Sequence, residues 1–375
     1  MALHKCAVTL RSLTAIAVSL APLWSKHQCP LVFKATETIN EIKDNHKMIQ
    51  SICLRPIHPR GSIPVSTLMH LMPILIVFWL GTSQALAVEV CELPPVNSSS
   101  PAAQAIVRTA CEEHRLWGQP FINRHGRIAK LGITESESDT LADQKSIAWQ
   151  QVALYWRESS TLAMTDSAPG SSSCVALDNS RNTANDCRAF LLDTPWSAAF
   201  ISWVMTRVGL AGFTVSPSHI TYIRASYLDA SSPYRFTDPG IEKPKAGDLL
   251  CRIRGRPPVG YAGLRAALDA GRTEDWLSHC DIVVAANVNG DRTLHLIGGN
   301  VSNTVMMRKL PLDRKGRLQL SRLQLHQDQE CTPAQENNCN SNRGDWAALL
   351  KLRPDVALAP PESQTATPYS TLLHQ

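Results

Sequence analysis

The sequence contains no glycine-rich phosphate loop, no dinucleotide fingerprint, no G-x-S-x-G elbow and no H-E-x-x-H. These absences give no motif support for P-loop nucleotide hydrolysis, nicotinamide or flavin binding, an α/β-hydrolase serine site or a zincin. No C-x-x-C occurs and no cysteine pair has metal-finger spacing, so neither a zinc module nor a thioredoxin-type redox site is indicated. No internal repeat is found, which argues against a solenoid. A surplus of charge is also missing where it would matter. Lys and Arg number 37 against 32 Asp and Glu, and residues 1–87 hold eight and three of these, which leaves 37 − 8 = 29 against 32 − 3 = 29. The body of the chain is neutral, so composition gives no support for a nucleic-acid partner.

What is present is an ordinary globular composition, 44% hydrophobic and 18% charged, in 375 residues. That length is ample for a real core. Leu68 to Ala87 carries an apolar run from Leu71 to Leu80, followed by Ala85-Leu86-Ala87 and the polar VEVCE. A run of about ten residues before A-x-A fits a cleaved secretory signal better than a span of roughly 20 apolar residues. Arg55 and Arg60 provide the positive flank. The expected organisation is a non-native or disordered extension at 1–67, a signal peptide at 68–87 and a helical lead-in at 88–135. A domain at 136–352 with a stapled loop at 159–190 follows, and then a disordered tail at 353–375. On this reading no stable membrane span remains after signal cleavage, and the protein is periplasmic or secreted. An uncleaved anchor is the competing reading. Glu89 and Val90 before Cys91 are not the small residues that a lipid-attachment site wants.

Eight of the eleven cysteines follow the signal, an even number that suggests disulfides in an oxidising compartment. Cys174–Cys187 and Cys331–Cys339 each bracket a polar segment as a local staple would, and Cys91–Cys111 is the natural third pair.

Along the body, a helix is expected around Ala102 to Trp117 and a second from Ser136 to Glu158. The acids at 135–139 then sit where a helix start favours negative charge, with catalytic carboxylates as the alternative. Thr194 reads as an N-cap and Pro195 as the first helical residue, so that Trp196, Phe200 and Trp203 share a buried face and Ser197 lies in the first turn. A further helix is expected from Pro217 to about Leu228, capped by Ser216 and carrying His219, with Tyr222 as core.

Ile282–Ala286 and Thr293–Ile297 read as a hairpin around Asn289-Gly290. With those two residues as the loop, paired positions sum to 579, which sets His279 opposite Asn300 with Cβ atoms about 5 Å apart. An imidazole beside a side-chain amide is the base and orienter that a nucleophile needs. Cys280 then faces the other way, with Cys251 on the preceding strand as its candidate partner.

Trp196-Ser197-Ala198-Ala199-Phe200-Ile201, Lys245-Ala246-Gly247-Asp248, His279 and Gly298-Gly299-Asn300 form an ordered set. That set resembles the CHAP class of papain-like amidases and peptidases that cut peptidoglycan. The strings PWSAAFISW, SHCDIVV and IGGNV are similar to the uncharacterised bacterial family called domain of unknown function 2272. The resemblance implies an α+β papain-like (CHAP-like) domain, with N-terminal helices packed on a small antiparallel sheet. It implies Ser197, His279 and Asn300 as catalytic residues, with Trp196, His219, Asp248 and Gly299 binding substrate or supporting the site. No metal or cofactor is implied. The substrate would be peptidoglycan or another peptide-like molecule, cut at an amide. The departure is Ser197 in the position of the nucleophilic cysteine. A hydroxyl cannot exist as a thiolate-like ion and must lose its proton during attack. The alternative function is therefore an inactive binding module for peptidoglycan or an envelope protein partner.

Overall fold

The chain divides into two units, Met1–Ala85 and Leu86–Gln375. In this computed structural model the described residues are 89–93, 99–165, 167–176, 180–324 and 331–359, all within the second unit. The expected extension at 1–67 and signal at 68–87 lie outside them.

Among the described residues eight α-helices and eight strands make a mixed architecture. The helices are α1 (Pro101–Leu116), α2 (Ala148–Glu158), α3 (Ser173–Ala176), α4 (Arg181–Asp193), α5 (Ser197–Arg207), α6 (His219–Leu228), α7 (Gly260–Asp269) and α8 (Leu320–Leu323). The strands are β1 (Phe121–Ile122), β2 (Ile128–Lys130), β3 (Tyr234–Thr237), β4 (Leu249–Ile253), β5 (Ser278–Ala286), β6 (Thr293–Val301), β7 (Thr304–Pro311) and β8 (Asp345–Leu352). All eight strands join one sheet in the order β2-β1-β7-β6-β5-β4-β8-β3, antiparallel except where β1 meets β7. The sheet is thus larger than the small one expected. It also draws β1 and β2 from the segment read as a helical lead-in, because Phe121 and Ile122 extend the edge beside Met307 and Arg308.

Helix α1 begins as its sequence dictates. Ser100 accepts a hydrogen bond from the Ala103 amide at 3.2 Å, and Pro101 takes the first turn, where its missing N–H is not needed. Helix α2 starts at Ala148, twelve residues later than expected. Residues 136–147 instead form turns, and Glu137 accepts from the Thr134 amide and hydroxyl at 3.0 and 2.7 Å. Local side-chain bonds of this kind compete with helix formation. The stapled loop is more ordered than expected, with α3 and most of α4 between residues 159 and 190. Thr194 is the C-cap of α4, and Trp196 the N-cap of α5, so the expected cap sits one helix too early. The α6 cap is Ser218, not Ser216. Residues 353–359, expected to be disordered, return to the body: Leu358 bridges Leu210, and the Ala359 amide donates to the Gly209 carbonyl at 2.7 Å.

Helix α5 is buried from Ser197 through Met205, because its apolar residues run round every face. It packs on α2, β5 and β6. Tyr155 of α2 lies within 5.8 Å of Trp196, 5.3 Å of Phe200 and 5.0 Å of Trp203, ring centre to ring centre. Such an aromatic cluster holds the start of α5 against α2.

Among the described residues there are four disulfides: Cys91–Cys111, Cys174–Cys187, Cys251–Cys280 and Cys331–Cys339. They agree with the pairs read from spacing and strand order, and they fit an oxidising compartment. Among the described residues no helix is long and apolar enough to cross a membrane.

Candidate functional site

Ser197 is the first residue of α5, where amides lack intrahelical acceptors and the helix dipole is positive. Its Oγ lies 2.7 Å from His219 Nε2. Helix α6 delivers that imidazole because its leading loop is tied to α5. Ser202 Oγ donates to the Ser216 carbonyl and accepts from the Ser216 amide, each at 3.0 Å. On the other side of the ring, Nδ1 accepts from the Cys280 amide at 3.3 Å and is bonded to the Tyr222 hydroxyl. A nitrogen that accepts a backbone N–H carries no hydrogen of its own. His219 therefore holds its hydrogen on Nε2 and donates it to Ser197 Oγ.

The neighbouring ring is His279, whose centre is 5.2 Å from that of His219. His279 and Asp281 stand two residues apart on β5 and so share a face. Asp281 Oδ1 is 2.8 Å from His279 Nε2, and Asp281 Oδ2 is 3.6 Å from Arg308 Nε. Burial would push the Asp281 carboxyl up, but His279, Arg308 and Arg252 outweigh it and hold the group below the usual carboxylate range. Burial pushes both imidazoles down, His219 further than His279, so both are neutral at rest. An ionised Asp281 requires the Nε2 hydrogen of His279 as its donor. That leaves Nδ1 of His279 as a free acceptor. The three residues are enclosed: Ser197, His219 and His279 are 7%, 3% and 1% exposed.

Asn300 does not hold the ring. The β5–β6 pairing does sum to 579 at Ile282–Ile297 and Val283–Leu296, but the connection spans residues 287–292, and one-residue irregularities occur twice, one in the β5–β6 ladder near Val284 and one in the β6–β7 ladder. Asn300 lies in the second, between Gly298 and Val301, with φ 54°. A left-handed residue in a bulge leaves the face that the simple register assigns it. The sequence reading missed Asp281, although the alternation His279-x-Asp281 in a strand was a usable signal.

The remaining expected residues have structural surroundings. Gly298 and Gly299 give room: a Cβ on Gly298 would fall 1.9 Å from Asp281 Oδ1, and one on Gly299 would fall 2.5 Å from Phe200 Cβ. Asp248 closes a turn onto β8, accepting from the Lys245 amide at 2.6 Å, the Leu352 amide at 3.0 Å and the Lys351 ammonium at 2.5 Å. Trp196 is fully buried against Trp117 and Tyr155. Glu135, beside its indole, is pushed up to about 7 by burial. Among the described residues no group of three His, Cys, Asp or Glu side chains could hold a metal ion.

A family model described as an uncharacterised protein conserved in bacteria (DUF2272) matches residues 143–352. Neither the curated proteins nor the solved structures contain a match to the chain. The matched segment contains Ser197, His219, His279, Asp281 and Arg308.

Proposed function

The chain belongs to the DUF2272 family of uncharacterised bacterial proteins, and from that premise we propose that it is an exported, cell-envelope amide hydrolase. It acts on peptidoglycan or another peptide-like substrate from a periplasmic or secreted position. The observation that carries the reading is Ser197 Oγ at a helix start, 2.7 Å from one imidazole, with a second imidazole held by a buried carboxylate behind it. The CHAP-like order of motifs agrees with this and supplies the substrate class.

In this mechanism His219 holds the serine oxygen by donating to it, and His279 is the base. Ser197 Oγ attacks the amide carbonyl carbon while its proton passes to Nδ1 of His279, whose developing charge Asp281 stabilises. Amides at the start of α5 face the oxyanion. The C–N bond then breaks as His279 returns the proton to the leaving amine. Water, deprotonated by the same imidazole, releases the acyl group and restores Ser197.

A binding module without turnover is the second reading. It is favoured by a specific observation, the resting hydrogen bond in which Ser197 is the acceptor and not the donor. The experiment that separates them is mass spectrometry of muropeptides incubated with the purified, oxidised protein, its Ser197→Ala variant and its Ser197→Cys variant. Cleavage by the parent that disappears in Ser197→Ala establishes the hydrolase and identifies the bond. Cleavage by Ser197→Cys alone establishes an intact shell that has exchanged turnover for binding. Silence in all three overturns the hydrolase reading.

A further inference from the structure

The turn between β1 and β2, helix α8 and the loop closed by Cys331–Cys339 border a cavity of about 670 Å³ that includes no residue of the Ser197 network. Arg124, His125 and Arg127 line it from the turn, Arg322 from α8, and Asn337 and Asn340 from the stapled loop. Among the described residues no carboxylate lines it. Arg124 donates to the Asp291 carbonyl and Arg127 to Asn337 Oδ1, each at 3.5 Å, the long limit of a hydrogen bond. Among the described residues neither of them, nor Arg322, is in an ion pair. Three guanidiniums thus share one concavity with no counter-charge among the described residues.

The walls are built in advance. Asn123 Oδ1 accepts from the amides of His125 and Arg127 at 2.9 and 3.2 Å, which sets the turn. Gly126 has φ 74°, and a Cβ there would fall 1.8 Å from Asn340 Oδ1, so only glycine lets the turn meet the stapled loop. The Ser341 amide donates to the Gly126 carbonyl at 2.9 Å. Prior ordering of this kind lowers what a ligand must spend on organising its site.

We propose that this cavity binds a phosphate group carried on a small polar molecule of about the size of a phosphorylated sugar. Guanidiniums arriving from two separate elements can share the several free oxygens of a phosphate, whereas one fork already satisfies a carboxylate. The volume lies in the range of small-molecule sites and exceeds what a lone phosphate fills. The Asn337 and Asn340 amides offer both donors and acceptors to hydroxyl groups.

The test is calorimetric titration of the full chain with glucose 6-phosphate, glucose, inorganic phosphate and phosphatidylglycerol vesicles. The parent and an Arg124→Ala/Arg322→Ala variant are compared at low and high salt. The expected result is glucose 6-phosphate bound at least tenfold more tightly than glucose, weakened by salt, and weakened a further tenfold or more in the variant. The replaced side chains are exposed, so an unchanged melting temperature certifies that the variant is folded. Equal affinity for inorganic phosphate would reduce the ligand to the anion itself, and binding of vesicles alone would assign the phosphate to a lipid headgroup; both keep the phosphate chemistry. Failure of all phosphate probes to bind, or binding undiminished in the folded variant, overturns the proposal.

Discussion

At the scale of single residues, the two imidazoles next to Ser197 differ in what their second nitrogen touches. His219 meets a backbone amide and a tyrosine hydroxyl, and His279 meets a carboxylate. In the proposed mechanism the first arrangement positions an oxygen and the second prepares a base. Replacing His279 with Gln is expected to lower kcat on the cleaved amide by about 10³ or more, and replacing His219 with Gln by about 10 to 10². Equal losses in steady-state kinetics would assign the base role to His219. Asp281→Asn separates activity from stability. It should lower kcat, and it also leaves Arg308 buried without its anion, a cost of about 3–5 kcal/mol that denaturant unfolding would register. His279 was legible from its place in an ordered motif set. Asp281 was overlooked because it sits inside a run of buried strand residues, where only the alternation marks it.

At the scale of elements, the β5–β6–β7 ribbon decides which side chains meet. The Asn289-Gly290 signal located the hairpin but not its length, because Asn287, Asn289, Gly290 and Arg292 all have positive φ and extend the connection. A two-residue turn was assumed where six residues turn the chain, and the irregularity near Val284 restores the register lower down. The second irregularity, in the β6–β7 ladder, puts Asn300 in a left-handed bulge, and the β5–β6 ladder does not extend to it. Strand pairs can be read from pattern, but bulges depend on neighbours on both sides. Gly298 is an element-level test. Its missing side chain is the space that Asp281 occupies, so Gly298→Ala should cost about 1–3 kcal/mol in overpacking and should cut activity by moving the carboxylate off His279. A melting temperature and kcat both equal to those of the parent would show that Asp281 can yield without consequence.

At the scale of the whole molecule, buried titratable groups set opposing pH slopes. Burial pushes Glu113 up to about 7 from 4.5, against hydrogen bonds from Tyr155 at 2.5 Å and Gln151 at 3.1 Å. Its folded pKa exceeds its unfolded one, so the stability it provides is full below pH 4.5 and is lost as pH rises through about 7. The amount is on the order of 3 kcal/mol. Burial lowers His114, His219, His279 and His295, the last to about 4. These groups act in the opposite sense: their contribution is present above pH 6.5 and is lost as pH falls. The melting temperature should therefore rise with pH towards about 6.5. In Glu113→Gln the difference in melting temperature from the parent should move upward between pH 4.5 and pH 8, because only the parent must ionise a buried carboxyl. A difference independent of pH in scanning calorimetry would refute the assignment.

The sequence alone determined the properties that depend on composition and short-range pattern. These were the neutral body, an even set of cysteines with candidate pairs, a mixed α and β architecture, a helix around Ala102 to Trp117, and Ser197 at the start of a buried helix. Local chemistry is sufficient for these, since caps, periodicity and spacing act over a few residues. Only the tertiary structure decided that the sheet has eight strands, that His219 reaches Ser197 across 22 positions of sequence, and that Asp281 takes the place expected for Asn300. Each of these depends on how far a loop or bulge displaces a strand and on which side chains compete for one buried space. Such competition is settled by packing among distant segments.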